Sequence, residues 1–263
     1  MATGRGSDRL NVVGVENRAA PGPFLIVCEH ASNDFPAAFG SLGLSDTARQ
    51  AHIAWDPGAL GVARRLAQNL DAPLVHARVS RLIYDLNRPP SSASAMATRS
   101  EDYDIPGNHD LTPAERWRRT ESIYLPFHAA LHGEIAHRIA AGNPPAIVTI
   151  HSFTPVWFGT PRDVEFGIIH DADPTFAQAV LAEAKARTGL DCRLNEPYSA
   201  ADEVTHTLRL HATPYDLPHA MLELRNDLVA DPAAEIAMAD GLTPVLSAAL
   251  AAIRKYQTEG ASA

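Results

Sequence analysis

The sequence predicts an α/β fold in which a largely parallel sheet is covered by helices on both faces. Two observations carry this. Short apolar runs recur along the chain, FLIVC (24–28), PLVHARV (73–79), AIVTI (146–150), FGIIH (166–170) and HAMLEL (219–224). Their length and their Val and Ile content suit buried strands. Between them lie longer segments with helical periodicity and capping signals, and strands alternating with helices build such sheets.

Taken in chain order, residues 1–20 are polar and Gly-containing and read as a loose arm, with a single catalytic domain following over 21–257. The FLIVC strand ends in Glu29-His30 and a polar turn, Ser32-Asn33-Asp34. GALGVARRLAQNL (58–70) is amphipathic at helical spacing. Segment 89–111, rich in Ser, Ala and Pro and without periodicity, is expected to be a mobile surface loop, a solvated excursion first and a lid as the alternative. Thr112-Pro113-Ala114-Glu115 is a capping box with proline at the first helical position, opening a helix over 112–141 that Gly142 closes. AIVTI runs into His151. Asp173-Pro174 opens a helix ending at Gly189, Asp231-Pro232 opens the last one, and the terminal TEGASA is expected to fray.

Composition narrows the function. Of the 263 residues 46% are hydrophobic and 20% charged, which suits a soluble globular domain with a continuous core. A net charge of -9 argues against general binding to nucleic acid or acidic membranes. No apolar run approaches a membrane span and the N-terminus lacks a secretory core, so the expected location is cytoplasmic. Cys28 and Cys192 stand far apart, which excludes a disulfide framework or a cysteine-rich zinc site. Dinucleotide, Walker, nucleophile-elbow and H-E-x-x-H motifs are missing.

Ligands of α/β sheets sit beyond the carboxyl ends of the strands, and that rule selects His30, His151 and the segment after Leu222. Two imidazoles at two strand ends can share one cation, and imidazole nitrogen suits zinc. A catalytic zinc needs a third ligand. Asp56, in a turn before a helix, is the choice, although Asp-Pro is also an ordinary helix start; Glu29 and Asn33 are the competitors. In SRLIYDLNRPP (80–90), Arg81, Asn87 and Arg88 follow a strand, with Asp85 placed to orient an arginine. A guanidinium binds carboxylate through two parallel bonds, and a surface ion-pair cluster is the plain alternative. Glu223 and Arg225 share one face of their strand; pairing with each other competes with a role for Glu223 as general base. His206, and less readily His211, could donate to an oxyanion.

EHASN, W-D-P-G-A, SRLIYDLNRP, HSFTP and E-L-R-N-D, in that order from about 23 to 228, resemble the N-formylglutamate amidohydrolase family. The resemblance implies a zinc carboxypeptidase-like fold, a three-layer α/β sandwich with a mixed, mostly parallel central sheet, and hence antiparallel pairs that periodicity does not reveal. It implies metal ligands at His30 and His151, with Asn33 standing where the wider superfamily has glutamate; Asp56 enters for that reason. It implies that Asn87-Arg88 grips a substrate carboxylate, helped by Arg81 or Arg225, and that Glu223 is the base. The activity implied is zinc-dependent hydrolysis of a small anionic N-acyl amino acid, N-formyl-L-glutamate first. The rivals are a peptidase or cell-wall amidase on the same scaffold and a metal-stabilised binding module for acidic metabolites.

Overall fold

A computed structural model describes residues 10–260. Seven strands form one sheet: β1 (Val13–Glu16), β2 (Phe24–Cys28), β3 (Leu74–Ala77), β4 (Ala146–Phe153), β5 (Phe166–Ile169), β6 (Cys192–Leu194) and β7 (His219–Arg225). Their order is β1-β3-β2-β4-β7-β5-β6. The four central strands β3, β2, β4 and β7 run parallel. β1 pairs antiparallel with β3, and β5 antiparallel with β7 while carrying β6 parallel to itself. The sheet is therefore mixed and mostly parallel, as the resemblance implied. Val13–Glu16, assigned to the loose arm, is an edge strand in register with Leu74–Ala77; residues 1–9 of that arm, and the end of TEGASA, lie outside the described residues.

Helices cover both faces. On one side lie α1 (Ala59–Asn69), α4 (Thr175–Arg187) and α6 (Pro232–Gly260), which pack with the sheet residues Phe24, Ile26, Val148, Ile150, Leu222 and Leu224. On the other side, α2 (Pro113–Arg119), α3 (Leu125–Ala140), α5 (His206–His211) and the chain over 79–105 cover Leu25, Val27, Ile147 and Met221. β2 is buried at every position, each large apolar side chain contributing about 1.5–3 kcal/mol. Pro232–Lys255 of α6 is long and apolar enough to cross a membrane. Here its stripe Leu242, Val245, Leu246, Ala249 and Leu250 is buried in the core.

Two sequence-based expectations change. The capping box at Thr112 and Glu115 forms, but the helix it opens is interrupted by a π turn at Thr120–Tyr124. Pro126, in the turn that follows, has no N–H to give an α ladder, and the wider turn absorbs the break. Segment 89–111 is not a mobile loop. It holds two 3-10 turns and a short hairpin, Arg99–Ser100 with Tyr103–Asp104. Ala95, Met96 and Ile105 are buried, and the Asn108 amide donates to Leu82 and Ala97 carbonyls while its oxygen accepts from Arg119. Its order comes from tertiary contacts, which leave no local periodicity to read.

Candidate active site

Because β2, β3, β4 and β7 are parallel, their carboxyl ends share one edge of the sheet. β2 ends at Cys28, and the chain turns at once through Glu29 and His30, both buried. His151 lies inside β4, on the same face as Ile147. In the β4–β7 register Glu223 is its direct neighbour, so period-2 geometry puts both side chains on that face. Asp56 is brought in by backbone: its N–H donates to the His30 carbonyl at 2.9 Å. The next turn requires glycine, since Gly58 has φ 79° and an added Cβ would meet the Val229 carbonyl oxygen at 2.4 Å.

These elements bring three donors together. The Nδ1 atoms of His30 and His151 are 3.1 Å apart, and Asp56 Oδ2 lies 3.3 Å from the first and 2.9 Å from the second. All are buried, and the group could hold a metal ion. The far sides of the imidazoles settle which nitrogens face inward. His30 Nε2 donates to Asp85 Oδ1 at 2.8 Å, and a carboxylate only accepts. His151 Nε2 stands 3.2 Å from Glu29 Oε2, an ion-pair separation without hydrogen-bond alignment. Each histidine is backed by a carboxylate and presents Nδ1 to the common point, the arrangement that orients metal-ligating histidines. Two facing lone pairs repel unless a proton or cation lies between them, so this donor set fits a divalent cation. Glu29 thus stands behind His151, on the far side from the common point, and the Asn33 amide is turned away to donate to the Arg49 carbonyl at 3.2 Å.

Charge is balanced closely. In the metal-free protein, where a proton on Nδ1 can take the place of the cation, burial would raise the Asp56 carboxyl, but the charge of His30 and hydrogen bonds from both histidines hold it far below the usual range. Asp85 is likewise held well below by Arg81 and His30 against its own burial. For Glu29 burial is outweighed by His151 and Thr207. Arg81 locks the assembly, donating to Asp56 Oδ1 at 3.2 Å and to Asp85 Oδ2 at 2.7 Å. Glu223 differs: burial pushes its carboxyl up to about 7, and its Oε2 has no hydrogen-bond partner. Removing the charge behind His30 by Asp85→Asn is expected to weaken metal affinity about 10- to 100-fold while leaving the fold intact. Competition with a chelator checks this, and unchanged affinity would contradict it.

The donors open into a cavity of about 320 Å³ lined among others by His52, Arg81, Arg88, Glu101, Phe153, Trp157, Tyr198, Asp202 and Glu223. Segment 89–111 contributes Glu101, which His52 meets at 2.6 Å. Arg88 uses one nitrogen on the Asn87 and Glu203 carbonyls and turns toward the cavity. Three residues assigned to substrate or catalysis are engaged by protein groups instead, two of them outside the cavity lining. Asn87 lines the cavity, but its amide donates to the Val204 carbonyl and accepts from Thr207 N–H, which anchors the start of α5. Arg225 lies two positions beyond Glu223 on the same face. That advance carries it past the cavity, to Asp227 at 2.8 Å and Glu165 at 3.2 Å. His206 opens α5, and its Nε2 is taken by the Tyr124 hydroxyl at 2.9 Å. It belongs with His128 and His211 in a cluster behind the site; those two share a 2.8 Å hydrogen bond. Burial lowers His206 to about 4.

Tyr198 and Trp157, both on cavity walls, had no signal in the sequence beyond residue type. Gly167, opposite Glu223 in the β5–β7 pair, explains how the first arrives. A Cβ there would meet the Glu196 carbonyl oxygen at 2.0 Å, so only glycine lets the chain cross this close to Glu223.

A family model described as N-formylglutamate amidohydrolase matches residues 22–230. Among solved structures, a gene product of Agrobacterium tumefaciens is similar at 53% identity with a TM-score of 0.91, over 92% of this chain and 96% of that one. The N-formylglutamate amidohydrolase of Ralstonia eutropha is similar in fold, with a TM-score of 0.67 at 18% identity over 93% of this chain and 99% of that one. No curated protein matches the chain. The sandwich with its mixed, mostly parallel sheet is the fold shared with these two solved structures.

Proposed function

The chain belongs to the N-formylglutamate amidohydrolase family, whose chemistry is amide hydrolysis, and from that premise we propose that it is a zinc-dependent enzyme that releases the acyl group of an N-acyl amino acid, with N-formyl-L-glutamate as the reference substrate. The observation that carries the reading is the meeting of His30, Asp56 and His151 beside a glutamate whose carboxyl titrates near neutrality. His30 and His151 through Nδ1, and Asp56 through Oδ2, would hold the zinc. When bound, the ion would polarise the amide carbonyl and make water a nucleophile near neutral pH. Glu223 accepts the proton of the attacking water and passes it to the leaving nitrogen. Asp85, Glu29 and Arg81 keep the imidazoles and Asp56 in place.

Arg88 holds the substrate carboxylate. Arg81 is committed to Asp56 and Asp85, and Arg225 lies outside the cavity, so one guanidinium carries this role. Arg88→Gln is expected to raise KM about 10- to 100-fold, the loss of a charge-assisted hydrogen bond of about 1.5–3 kcal/mol, with a smaller effect on kcat. Steady-state kinetics measure it, and an unchanged KM would remove Arg88 from the substrate.

One observation favours a second reading of the substrate. Glu101 and Asp202 line the same cavity, so a second carboxylate meets acidic walls. On that ground N-formyl amino acids with neutral or basic side chains are hydrolysed at least as well as N-formyl-L-glutamate. The cavity suits a small molecule, which disfavours a peptidase or cell-wall amidase role. Both cysteines are buried and free, in keeping with a cytoplasmic setting. Metal analysis of the purified protein, with a panel of N-formyl, N-acetyl and N-carbamoyl amino acids, tests the whole reading. Metal binding without turnover of any of them would leave a binding module.

A further inference from the structure

With His206 drawn away to Tyr124, the reaction proposed above lacks a side-chain donor for the amide oxygen. Tyr198 stands where one is needed. It lines the cavity, and its hydroxyl lies close enough to Glu223 and Arg81 to feel both charges. The hydroxyl oxygen accepts a hydrogen bond from Arg162 Nη2 at 3.2 Å. The phenol's own proton makes no hydrogen bond to protein among the described residues. Arg162 is itself held by stacking. Its guanidinium carbon lies 4.7 Å from the centre of the Trp157 ring, 5.2 Å from that of Tyr198 and 5.4 Å from that of Phe153. All three rings line the cavity, so the clasp fixes the wall from behind.

We propose that Tyr198 is a catalytic hydrogen-bond donor to the oxygen of the scissile amide, and that Arg162 is the positioning residue that aims it. An N–H donated into the phenol oxygen turns the O–H outward, and a neighbouring cation makes that O–H a stronger donor. The proton stays on Tyr198 throughout; what changes is the charge on the oxygen that it meets, which grows as the carbonyl becomes tetrahedral. Burial, and then the charge of Glu223, raise the phenol, so it remains protonated over the working range. Tyr198 comes from an irregular segment that crosses close to Glu223 because residue 167 is glycine. Donor and base are thus held by one crossing of the chain.

The inference rests on the hydrolase reading, and the test separates the two. Metal-loaded full-length protein is assayed with whichever N-formyl amino acid of the panel the unmodified chain cleaves fastest. Tyr198→Phe, which keeps the ring and the wall, is expected to lose about 10²-fold in kcat with KM within about 3-fold. Arg162→Met is expected to lower kcat in the unmodified chain and to add little in the Tyr198→Phe background, because it acts through the phenol. A Tyr198→Phe variant with full kcat, or one whose loss lies wholly in KM, overturns the assignment. A full second loss from Arg162→Met in that background overturns the positioning role. If the unmodified chain cleaves no member of the panel, the hydrolase reading itself falls, and this assignment with it.

Discussion

Glu223→Gln is expected to abolish turnover, by about 10²- to 10⁴-fold in kcat, the range that a positioned general base supplies, while zinc content stays at the level of the unmodified chain. The amide keeps the shape and loses the basicity. The pH profile offers a second readout. Only ionised Glu223 can take a proton, so kcat/KM rises with pH along an acid limb. In the metal-free protein the carboxyl is raised to about 7, and a bound cation draws it down toward the usual glutamate range, so the limb falls between the two. Stability moves in the opposite direction. The folded state holds this proton more tightly than the unfolded chain, so the metal-free protein loses stability as pH rises from the usual glutamate value through about 7. The total is about 3 kcal/mol. Metal-free Glu223→Gln escapes that loss and is expected to melt higher than the unmodified protein at pH 8 and alike in strong acid. Full activity in the variant would remove the base from the mechanism.

His151→Ala is expected to leave the protein without stoichiometric zinc and without activity. One of three donors disappears, and the loss reaches further than that donor. Glu29 is fully buried, has no hydrogen-bonded oxygen, and is kept ionised chiefly by the His151 charge. Breaking a buried pair in this way costs about 3–5 kcal/mol. The double variant His151→Ala, Glu29→Gln removes the stranded charge and is expected to regain part of the stability but none of the metal. Elemental analysis after dialysis, alongside thermal melting, separates the two effects. Stoichiometric zinc in either variant would mean that the cation, if there is one, sits elsewhere.

The legible parts of this molecule are those whose cause is local. FLIVC, AIVTI and HAMLEL declare themselves because a strand buried on both faces must be apolar along its length, and Thr112 with Glu115 because a capping box is written within four residues. VGVE and CRL do not, being four and three residues long and at sheet edges, where few side chains are buried. HTLRLH was missed because its six residues are held by Asn87 and by buried histidines rather than by strong periodicity. The meeting of His30 and His151 was legible because parallel strands end together; Asp56, which lies in a turn, entered through the family resemblance. The place of Glu29 was not: the strand stops one residue earlier, so alternation no longer says which way it points. Arg225 shows the limit of the period-2 rule, which gives the face of a strand and not the reach of a cavity. Tyr198 lies in an irregular stretch whose path depends on the missing side chain of Gly167.

The division of labour between sheet and loops has a consequence for descent. The group of His30, Asp56 and His151 that could hold a metal, and Glu223, stand at or beside the carboxyl ends of central strands, where a shift of one residue would turn a side chain to the other face. Glu101, Trp157, Tyr198 and Asp202 ride on segments outside the main sheet, where insertions are tolerated. The walls can therefore change without disturbing the strand ends, so membership of this family speaks more directly to the bond broken than to the molecule that carries it.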